Sequence, residues 1–131
     1  MSRLPEHLGV ILVDHGSRIE EANRLLHDVV DLYRRVTGIA VAEAAHMELA
    51  EPTIAQAFAR CVEQGATEIV IQPYFLSPGR HSTRDIPKMA AEAAARYPGV
   101  QYRVAEPLGL DDRMGEIIQR RVLESLGLEE S

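Results

Sequence analysis

Leu8–Asp14 (LGVILVD) is an almost unbroken apolar run with β-branched residues at its centre. A strand of this kind is buried on both faces, and that environment is found where a parallel sheet is covered by helices. Parallel strands need crossovers, so each strand should be followed by a helix that carries the chain back. The rest of the sequence fits this demand. From Ile19 to Val36 apolar residues recur in three- and four-residue steps (Ala22, Leu25, Leu26, Val29, Leu32, Tyr33, Val36), predicting a helix stopped at Gly38. Ile39–Met47 is a weaker, alanine-rich strand. Glu51–Gln64 repeats the helical step, with Pro52 suited to its first turn and Gly65 at its end. Glu68–Phe75 is a third strand, and Leu76–Arg84 reads as a polar loop of about nine residues. Asp85 should cap a helix through Ile86, Met89, Ala90, Ala93, Ala94 and Tyr97, closed by Pro98-Gly99. Val100–Ala105 is a fourth strand, and Asp111 or Asp112 opens a last helix through Met114, Ile117, Ile118, Val122 and Leu126.

The order βαβαβαβα predicts an α/β, flavodoxin-like fold: a four-stranded parallel sheet, order 2-1-3-4, with helices on both faces. The 131 residues fit one domain, with a core over about 8–126 and a frayed tail at 127–131. The formal charge of −6 argues against a nucleic-acid partner. No apolar run approaches the roughly twenty residues of a membrane span, and the start of the chain carries no export signal, so a cytoplasmic protein is expected. The single cysteine, Cys61, lies on the apolar stripe of a helix and reads as core packing.

Open parallel sheets bind ligands beyond the carboxyl ends of their strands. There the chain places Asp14-His15-Gly16-Ser17-Arg18, His46-Met47-Glu48, and a segment holding Gly79, Arg80, His81 and Arg84. His7 and His27 fall away from that rim. Two imidazoles and a carboxylate suit Co²⁺, Ni²⁺ or Fe²⁺ and leave coordination positions open. His46 and Glu48 would face one side if their strand persisted. Arg18, Arg80, Arg84 and Lys88 gather basic charge at the same rim of an acidic chain. Guanidinium groups match carboxylate or phosphate, which points to an anionic ligand.

VDHGSR (13–18), MELAEPTI (47–54), PYFLSPGRHSTRDIP (73–87) and YPGVQYRVAEPLG (97–109) together resemble the class II tetrapyrrole chelatases, in particular the small single-domain sirohydrochlorin chelatases. The resemblance spans about residues 8–123. It implies insertion of a divalent metal, Co²⁺ first and Ni²⁺ or Fe²⁺ otherwise, into sirohydrochlorin, with the metal as substrate and no organic cofactor. It places the family's metal-binding histidines on His15 and His81, the acidic partner on Glu48, and implies a homodimer. Gly16, Ser17, Arg18, Gly79, Arg80 and Arg84 then fall around the tetrapyrrole. The chain departs from the family at Asp14, where glycine is usual, and at His46, where an apolar or aromatic residue is common. His46 is therefore an additional candidate ligand. Two other readings compete. A non-catalytic metal- or tetrapyrrole-binding module would use the same residues. A histidine-type phosphatase would need an arginine before His15, where Asp14 would repel phosphate.

Overall fold

The computed structural model describes residues 4–77 and 79–129, apart from the side chains of Arg80, His81 and Ser82. Its elements are β1 (Leu8–Asp14), α1 (Glu20–Thr37), β2 (Val41–His46), α2 (Ile54–Glu63), β3 (Glu68–Pro73), α3 (Arg80–Ala94), β4 (Gln101–Val104) and α4 (Asp112–Ser125). The sheet is parallel throughout and ordered β2-β1-β3-β4, as the alternation predicts. β1 lies at its centre, with every residue from Gly9 to Val13 buried.

Alternation along the strands divides the interior in two. Ile11, Val13, Ile69 and Ile71 pack with Phe58 and Cys61 of α2 and Ile86 of α3. Val10, Leu12, Ala42 and Ala44 face the other way, against Leu26 and Val30 of α1. Local chemistry sets the helix ends. α1 stops where Gly38 adopts φ 77° and donates its N–H to the Arg34 carbonyl. Thr53 and Gln56 form a reciprocal capping box at the start of α2. Asp111 caps α4. Among the described residues no helix is long and apolar enough to cross a membrane.

Two helix starts differ from expectation. α3 begins at Arg80, five residues before the expected Asp85 cap, so the loop after β3 is shorter and Pro87 lies inside the helix. The first turn forms because Thr83 donates both its N–H and its hydroxyl to the Gly79 carbonyl, at 3.1 and 2.9 Å. Pro52 lies outside α2, before the capping Thr53, and follows a cis Glu51–Pro52 bond.

Candidate functional site

The rim is built from the backbone outward. β1 and β2 end in register, Asp14 opposite His46. Their pairing continues past the strands: the Met47 N–H donates to the Asp14 carbonyl (2.9 Å) and the Glu48 N–H to the His15 carbonyl (3.1 Å). These bonds place Glu48 directly beside His15, and both side chains are exposed. Gly16 turns the chain at φ 91°, and a Cβ there would lie 1.9 Å from the Glu48 carbonyl oxygen. Only glycine permits this approach.

The turn that follows is fastened from α1. The Ser17 N–H donates to Asn23 Oδ1 (2.9 Å), Asn23 Nδ2 donates to the Ser17 carbonyl (2.7 Å), and the Ile19 N–H donates to Ser17 Oγ (3.0 Å). The Ser17 amide is thus used within the turn. Arg18 is exposed beside it.

On the other flank, the Tyr74 N–H donates to the Val13 carbonyl at 2.6 Å. This brings Phe75 next to His15, and the rings stack with centroids 4.7 Å apart and planes inclined by 23°. Phe75 also lines a cleft of ≈ 250 Å³ with Pro73, Thr83, Pro87, Glu106 and Pro107. The sequence reading placed Phe75 only at a strand end. Its place at the end of the strand next to the one that delivers His15 was the available signal. Arg80 and His81 occupy the first turn of α3, and Gly79 immediately precedes it. The side chains of Arg80 and His81 lie outside the described residues. Arg84 and Lys88 are exposed on the same helix, with Arg84 Nε 4.0 Å from the Asp85 carboxylate.

His46 does not stand on the rim. It is 1% exposed, beneath the corner. Its Nδ1–H donates to Asp14 Oδ1 at 2.5 Å, a carboxylate being able only to accept. Its Nε2 is buried with no hydrogen-bond partner among the described residues. The ring of His27, on α1, lies 6.0 Å away, centroid to centroid. The condition for a shared facing of His46 and Glu48 is not met, because β2 ends at His46. Among the described residues no three His, Cys, Asp or Glu side chains converge as a metal site; the expected third ligand, His81, has its side chain outside that set. Cys61 is fully buried, as its place in the pattern predicts. Burial pushes its thiol up to about 12, with the nearby Glu43 carboxylate adding to the rise and Arg34 opposing it.

Comparison with known proteins places this rim in context. Residues 9–125 match the family model CbiX. The chain is 45% identical over 114 residues to the chloroplastic sirohydrochlorin ferrochelatase of Arabidopsis thaliana, covering 87% of this chain and 51% of that one. It is 32% identical to the sirohydrochlorin cobaltochelatase of Methanopyrus kandleri, covering 93% and 99%. The structure of SirB from Bacillus subtilis with Fe³⁺ superposes with a TM-score of 0.81 at 31% identity, covering 93% of this chain and 48% of that one. The chain therefore spans about half the length of the first curated relatives it matches and nearly all of the Methanopyrus kandleri protein. With a family-model match across nearly its whole length, the chain belongs to the CbiX family.

Proposed function

We propose that this chain inserts a divalent metal into sirohydrochlorin, with Co²⁺ as the first choice and Ni²⁺ or Fe²⁺ as the others. His15, Glu48 and His81 hold the metal, and no organic cofactor takes part. The observation that carries this reading is the corner where β1 and β2 end: backbone hydrogen bonds join two exposed residues, His15 and Glu48. The helix after the neighbouring strand β3 begins with the segment that holds His81. Names of relatives at 45% and 32% identity agree on the substrate and differ on the metal.

Neutral imidazole binds metal through a ring nitrogen, and N/O ligands accept all three ions. The stacked Phe75 limits how far the His15 ring turns, which preorganises one donor. The macrocycle is a polycarboxylate, and the chain's charge of −6 opposes it. Arg18, Arg80 and Arg84 supply local attraction. At physiological salt the Debye length is about 8 Å, so charges at the rim outweigh distant ones. Gly16, Ser17 and Gly79 shape the surface on which the ring system rests. Insertion forms metal–nitrogen bonds as the inner N–H groups release their protons, and a rim histidine is the base within reach.

Anaerobic incubation with sirohydrochlorin and each metal in turn, followed by absorbance, tests the reading. His15→Ala and His81→Ala should each lower insertion by at least about 100-fold, or about 2.7 kcal/mol, with thermal unfolding unchanged. Wild-type rates in both variants would overturn it.

A further inference from the structure

We infer that Asp14 and His46 act as a positioning couple that fixes the separation of His15 and Glu48; this rests on the reading of those two residues as metal ligands. Asp14 directly precedes His15, and His46 lies two residues before Glu48. The pair is in register across β1 and β2, and their side chains are joined at 2.5 Å. The backbone bonds of Met47 and Glu48 to Asp14 and His15 join the same two chain ends. The side-chain bond is thus a second tie across the corner, outside the main-chain ladder.

Burial makes this tie rigid. The His46 side chain is fully enclosed, so its ring has no room to swing, whereas the Asp14 carboxylate is a quarter exposed and would be mobile without a partner. Asp14 shares its side of β1 with Val10 and Leu12, the α1 side. The bond to His46 holds the carboxylate there, below the rim, and keeps a competing acid away from a cation at His15. The arrangement carries a stability penalty: Nε2 of His46 is buried without a partner among the described residues, and an apolar ring would remove that unmet atom while leaving the quarter-exposed Asp14 carboxylate to water. Locally unfavourable choices of this kind are expected where a site needs them. Residues that hold a ligand from behind affect metal affinity by about 10–100-fold.

The test uses the full chain titrated with Co²⁺ alone under anaerobic conditions, read by its visible d–d bands, with melting temperature measured alongside. Asp14→Ala and His46→Phe should each weaken Co²⁺ binding about tenfold and shift the bands. The double variant should be no weaker than either single one. Asp14→Asn and His46→Asn, which keep an acceptor and a donor in place, should recover most of the affinity. His46→Phe should melt no lower than the parent chain, separating positioning from folding. His15→Ala is the control. If it loses Co²⁺ while Asp14→Ala and His46→Phe keep the parent's affinity and bands, the couple has no positioning role. Losses that multiply in the double variant would overturn the coupling as well. If His15→Ala itself binds Co²⁺ unchanged, the metal reading fails first.

Discussion

The two sides of the sheet are finished differently. Around β1 the interior is closed: its central residues are buried, α1 and α2 cover β1 and β2, and α3 packs on α2 and one face of β4. At the other side β4 has three exposed residues of its four, and α4 contributes no buried residue at all. Yet α4 is amphipathic, with Ile117, Ile118 and Val122 on one stripe, and Ile118 is 64% exposed. An apolar stripe on a helix without a single buried residue is a surface suited to a partner. The resemblance implies a homodimer with rim facing rim; α4 offers such an association a second apolar surface, and the additional length of the larger relatives, of which this chain spans about half, could cover the same stripe.

The sharpest way to break this contrast is to empty each side in turn. Phe58→Ala, in the closed half, should cost about 3–5 kcal/mol in urea unfolding. Ile118→Ala, in the open half, should change the monomer's stability by less than about 0.5 kcal/mol. Equal losses would mean that α4 belongs to the core after all. Ile118→Glu should instead act on association: light scattering should register a dimer for the parent chain and a monomer for the variant. A parent chain that scatters as a monomer at working concentration removes the dimer.

A smaller effect follows from Cys61. Its thiol has a folded pKa of about 12 against an ordinary 9.0. The folded chain therefore keeps a proton that the unfolded chain releases. The associated stability is fully present below about pH 9 and declines as pH rises toward 12, by at most about 1.4 kcal/mol per pH unit. Unfolding at pH 8 and pH 10 should show that decline in the parent and a shallower one in Cys61→Ala. The finest comparison sets two helix caps against each other. Thr53→Ala should lower global stability by about 1 kcal/mol. Asp111→Ala should leave the global transition in place and speed hydrogen exchange only within α4.

Much of this architecture was legible because apolar runs and helical steps alternate without interruption. The strand order follows from that pattern, and so does a last helix opening at Asp111 or Asp112, of which Asp111 is the cap. The start of α3 did not, because Asp85 and Pro87 imitate a cap and a first-turn proline, while the actual first turn depends on the Gly79 carbonyl accepting from Thr83. At the rim, the juxtaposition of His15 and Glu48 followed from the parallel topology. The burial of His46 did not, because it depends on how α1 packs and on an Asp14 bond between residues far apart in sequence. The contact of Phe75 with His15 likewise depends on the path taken after β3.

Position 16 carries a consequence of its own. A methyl group there would meet the Glu48 carbonyl at 1.9 Å, and no rotamer or change of polarity relieves an overlap with main chain. Attempts to retune the rim by randomising its residues can therefore vary the exposed Arg18 or Arg84 by degrees. At Gly16 the alternatives reduce to keeping the bend or dismantling it.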